Sequence, residues 1–112
     1  MPGRERRQAA RYVIGGMMLD LNGVLHETLD ISPGAVAVVQ EKGVDYSRLN
    51  VPASFICKSA RALYEPLTSL QFITRRANII VLGYSVSAAN WEAILQAHDV
   101  RADMKQLEDV FG

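Results

Sequence analysis

The sequence predicts an α/β domain of Rossmann type, a small parallel sheet covered by helices in a three-layer sandwich, and three observations predict it. Short apolar, β-branched runs occupy residues 12–21, 51–57 and 77–84. Residues that start helices follow each run, at Ser32, Ser59 and Ser87. Strands that alternate with helices build parallel sheets whose crossovers cover the two faces.

The first run, YVIGGMMLDL, is short and continuously apolar enough for a buried strand, although Gly15 and Gly16 weaken it. Ser32 then serves as an N-cap with Pro33 at the first helical position, and Ala35, Val36, Val38 and Val39 precede Gly43, which predicts a short helix. VPASFIC is the second strand, with Pro52 tolerable near its beginning. A helix over 59–70 follows from the spacing of Ala60, Leu63, Leu67 and Leu70, with a kink or break near Tyr64 because Pro66 removes a backbone donor. ANIIVLGY, preceded by Arg75 and Arg76, is the most hydrophobic run and the third strand. Ser87 caps a helix with Trp91, Ile94, Leu95 and His98 on one face. Asp103 and Gln106 form a capping-box-like pair for a last helix ending near Phe111.

A chain of 112 residues, 49% of them apolar, is one domain that buries about two-thirds of its unfolded surface. Twelve basic and twelve acidic residues cancel, so no whole-molecule field draws the chain to nucleic acid or to an acidic membrane. The exception is the opening MPGRERRQAAR, where Arg4, Arg6, Arg7 and Arg11 face the single acid Glu5. Residues 1–11 are therefore read as a flexible basic arm and 12–112 as the domain. No aromatic residue interleaves with the arginines, which argues against single-stranded nucleic acid. One cysteine, Cys57, excludes an internal disulfide and suits a reducing interior, so the cytoplasm is expected. No segment reaches the about 20 apolar residues of a membrane span, so a soluble protein is expected.

Asp20 closes an apolar run and precedes a polar, glycine-containing turn. A carboxylate so placed can bind a divalent cation, attack phosphorus, or tie down the loop, and spacing leaves all three open. The stretch LDLNGVLHETLDISPGAVAVVQ (19–40) resembles the first motif of the haloacid dehalogenase (HAD) superfamily, in the branch of the glycolate-type and nitrophenyl-type phosphatases and the phospholysine phosphohistidine inorganic pyrophosphate phosphatase. SRLNV with KSARALYEPLTSLQF, and ANIIVLGYSVSAANWEAI, are similar to later elements of that branch, so the likeness covers roughly 12–96.

The resemblance implies a HAD-like fold and a Mg²⁺-dependent phosphatase acting on a small phosphorylated substrate. Asp20 would be the nucleophile and a metal ligand, the main-chain carbonyl of Asn22 would hold the same Mg²⁺, and Gly23 would let the backbone approach the phosphate. Ser59, or more distantly Thr74, would hold a phosphate oxygen, and Lys58 would balance its charge; Ser59 also reads as a plain N-cap and Lys58 as a solvated side chain. His26 would lie at the mouth of the site, and Cys57 reads as a buried structural thiol.

Departures qualify the likeness. Asn22 stands where most of these phosphatases carry the aspartate that acts as general acid, a loss that typically costs about 10²- to 10⁴-fold. After ANIIVLGYS no acid occurs until Glu92, and Glu108 and Asp109 follow no strand. The chain thus resembles the first part of such an enzyme. The alternative is a non-catalytic α/β fragment, a binding or oligomerisation module in which Asp20 ties down its loop and a second copy covers an exposed sheet edge.

Overall fold

The computed structural model describes residues 11–58 and 62–97. Seven strands form one sheet: β1 (Met17–Leu21), β2 (Val24–Ser32), β3 (Ala35–Val39), β4 (Ala53–Cys57), β5 (Ala62–Leu63), β6 (Thr68–Arg76) and β7 (Ile79–Ser85). Residues 88–97 form one helix, α1. The strand order is β5-β4-β1-β2-β3-β7-β6, and every described pairing is antiparallel.

This overturns the parallel α/β sandwich, and the turns show why. Parallel neighbours need crossovers of about a dozen residues, whereas three connections here have only two residues: Asn22-Gly23 joins Leu21 to Val24, Pro33-Gly34 joins Ser32 to Ala35, and Ala77-Asn78 joins Arg76 to Ile79. Asn22 (φ 52°) and Gly23 (φ 90°) both lie in the left-handed region, as the hairpin turn that matches strand twist requires. Pro33 supplies a fixed φ and Gly34 (φ 103°) the positive one, so Ser-Pro-Gly makes a tight turn where a helix start was expected. The helix over 59–70 is also absent among the described residues, where β5, an extended 64–67 and β6 stand instead.

The sheet curls round until one stretch of chain joins its two ends, with the outer edge of β6 left unpaired among the described residues. β5 pairs with β4, β6 pairs with β7, and the short 64–67 segment between them keeps contact with β4 through the Tyr64 amide donating to the Phe55 carbonyl and Leu67 to Ala53. β2 serves both halves of the barrel: residues 24–27 pair with β1, and 28–32 pair with β3. A bulge between Thr28 and Asp30 inserts one residue, which moves the inward set from His26 to Ile31 and turns the strand through a corner.

Alternation fills the interior. Met17, Leu19 and Leu21 from β1, Val36 and Val38 from β3, Phe55 and Cys57 from β4, and Ile80, Leu82 and Tyr84 from β7 are buried together. α1 adds Ile94 and Ala97. Its start follows the sequence expectation, since the Ser87 hydroxyl accepts the Asn90 amide N–H at 3.1 Å. The Asn90 side chain then accepts the Glu65 N–H at 3.1 Å and donates to the Glu65 carbonyl at 3.0 Å, docking the helix on the closing segment. The expected strands at 12–21, 51–57 and 77–84 are present, trimmed to β1, β4 and β7. His98 and the expected helix from Asp103 lie outside the described residues.

Candidate functional site

Asp20 sits on the outer face of β1, between inward Leu19 and Leu21, level with Leu25 on one side and Ser54 on the other. Its Oδ1 accepts the Gly23 amide N–H at 2.8 Å, and the Asn22 amide donates to the Pro52 carbonyl at 2.8 Å. A shallow, open depression of about 350 Å³ is lined by Asp20, Asn22, Gly23, Pro52, Ala53 and Ser54. The Gly23 hydrogen bond ties the carboxylate to the hairpin turn, the third of the three roles open to it.

The other expected site residues do not converge there. Lys58 is exposed just past the end of β4, four residues beyond Ser54. Thr74 lies on β6, four strands away in sheet order. Glu92 is exposed on α1, and Ser59, Glu108 and Asp109 lie outside the described residues. Around Asp20 the donors are one carboxylate already engaged by an amide, with main-chain groups, and among the described residues no three His, Cys, Asp or Glu side chains gather to hold a metal. That donor set does not fit a resident Mg²⁺, whose sites add carboxylates or substrate phosphates to water.

His26 is not at a site mouth; it is fully buried. Its Nδ1 lies 2.9 Å from the Val24 carbonyl and its Nε2 2.7 Å from the Tyr46 hydroxyl, whose oxygen also accepts the Glu41 N–H at 2.9 Å. Cys57 is buried, as expected of a structural thiol.

Two features that motif reasoning passed over are more suggestive. The first is where the basic arm joins the barrel. Tyr12 and Ile31 exchange both backbone hydrogen bonds at 2.8 Å, an antiparallel bridge. With that pair at its centre, Arg11 comes level with Ser32, and Val13 with Asp30, on the face opposite inward Ile31. Arg11 is exposed, Asp30 and Ser32 are half-buried, and the Trp91 ring meets Tyr12 edge-on at 5.9 Å. The signal was legible as four arginines immediately before a strand-forming tyrosine.

The second is a cleft of about 540 Å³ between the 46–51 loop and the first half of β6, with Tyr46, Asn50, Leu67, Ser69 and Phe72 in its walls. Ser69 has φ 55° at a register shift between Thr68 and Gln71, so β6 leaves the regular ladder there.

No family model, curated protein or solved structure matches the chain.

Proposed function

We propose that the chain is a non-catalytic binding module, and that it takes a small phosphorylated ligand at the rim where Arg11 enters the barrel. The observation that carries this reading is the Tyr12–Ile31 bridge. It fixes the end of a segment with four arginines and one acid along the edge of β2. A guanidinium presents its N–H donors as a planar fork that matches two phosphate oxygens, and anchoring one end of the arm lowers the ordering cost of the rest. Asp30 on the same face supplies an acceptor that can orient a guanidinium, while the Ser32 hydroxyl is held by the Ala35 carbonyl at 3.3 Å. The remainder of the chain carries the compensating acidic excess, so a short polyanion is steered to the arm rather than to the whole surface.

Trp91 is the single tryptophan and meets the ring of Tyr12, which faces inward beside Ile31, so its emission reports on the seating of the bridge that anchors Arg11. The test is a fluorescence titration of the full chain with pyrophosphate and with nucleoside mono- and diphosphates, against the matching nucleosides. Saturable change with the phosphates alone, weakened by salt and by about tenfold or more in Arg11→Ala, is expected. A response to nucleosides equal to that for nucleotides, or titrations identical in Arg11→Ala and wild type, would reject the reading.

A further inference from the structure

The outer side of β6 has no strand partner among the described residues, and nearly the whole strand is exposed on both faces, including Phe72 at 46% and Ile73 at 50%. Thr68 to Thr74 contains no proline, lysine or inward charge, and its register shifts at 68–71 and 72–74 are the one feature there that blunts a sheet edge. The charges sit at its two ends instead: exposed Glu65 just before the strand and exposed Arg75 and Arg76 at its close.

From this arrangement we infer that the partner of β6 is the β6 of a second copy, paired antiparallel about a twofold axis near Phe72. Phe72 is the midpoint of Thr68–Arg76, so such pairing brings Phe72 of each copy against the other and carries Arg76 of one copy to Thr68 of its partner. Each basic end then approaches the partner's Glu65 end, whereas parallel pairing would stack arginine on arginine. The self-complementary order, acid then uncharged centre then base, selects a second copy over an unrelated strand. The β6 edge becomes an interior strand of a sheet continuous across the dimer, and Phe72 and Ile73 lose their contact with water.

Sedimentation and light scattering of the full chain over a range of concentration and salt test this. A dimer is expected, dissociating as salt rises. Arg75→Glu with Arg76→Glu is expected to give monomer, and adding Glu65→Arg to that pair is expected to restore the dimer. The three side chains are exposed, and Glu65 uses only its backbone to hold Asn90, so folding is retained and is checked by Trp91 emission. A monomeric wild type, a dimer untouched by the arginine swap, or a swap that Glu65→Arg does not rescue would each overturn the inference.

Discussion

Two polar side chains, His26 and Asp20, show how little of this molecule's chemistry is left uncommitted. The Val24 carbonyl can only accept, so His26 carries its proton on Nδ1 and offers Nε2 as acceptor to the Tyr46 hydroxyl, which in turn accepts from Glu41. Burial raises the Tyr46 phenol above its ordinary pKa, more than the Glu41 amide lowers it, and keeps it a donor. Tyr46→Phe strands both a buried imidazole nitrogen and a backbone amide, and is expected to cost about 1–3 kcal/mol in urea unfolding. Asp20 has a smaller task, and its variants separate capping from catalysis. Asparagine retains an oxygen that accepts the Gly23 amide, so Asp20→Asn should leave stability nearly unchanged, while Asp20→Ala should cost about 1 kcal/mol. With and without Mg²⁺, an activated aryl phosphate should be hydrolysed no faster by wild type than by Asp20→Asn. A metal-dependent rate lost in the variant would return Asp20 to the role of nucleophile.

At the scale of elements, the hairpins decide the fold, and their energetics are local. A Cβ added at Gly23 meets nothing within 4 Å, so Gly23→Ala carries only the left-handed backbone penalty, about 1–2 kcal/mol, and a urea midpoint measures it without a packing contribution. The same turn explains what the sequence disclosed and what it hid. β4, β7 and the Ser87 cap were legible because β-branched runs and a serine N-cap have one dominant reading each. Ser-Pro-Gly was not, since serine and proline open both helices and turns; the alternation of AVAVV, inward only at Val36 and Val38, is the feature that distinguishes a strand. Asn-Gly between apolar residues is the strongest short-range hairpin signal, and here it lies inside a stretch that also resembles a phosphatase motif, two residues after Asp20. Leucines 63, 67 and 70 are spaced as one helical face, yet Leu63 is 80% exposed and Leu67 buried, because that stretch is extended and closes the barrel. The arginines before Tyr12 were legible, but the bridge from Tyr12 to Ile31 was not, because a single long-range pairing leaves no periodicity to read.

For the whole molecule, Tyr84 joins the parts that closure brings together. Its ring meets Phe55 of β4 edge-on at 5.7 Å, and its hydroxyl donates to the Ser32 carbonyl beside the β2–β3 turn. Burial holds its phenol well above the ordinary tyrosine range, and burial also raises Tyr64. A phenol whose folded pKa is raised keeps its proton longer in the folded than in the unfolded chain. Its stabilising contribution is complete below the unfolded value near 10 and is lost as pH rises through the folded one. The barrel should therefore unfold in alkali, with Tyr84 lowering stability by up to about 1.4 kcal/mol per pH unit above pH 10. Tyr84→Phe removes that titration together with the Ser32 hydrogen bond, so it should lower stability near neutrality by about 1 kcal/mol yet flatten the alkaline slope. Urea midpoints taken from pH 7 to 11 for both proteins read the two effects separately. Parallel curves for wild type and Tyr84→Phe would mean that this phenol does not couple barrel closure to its own proton.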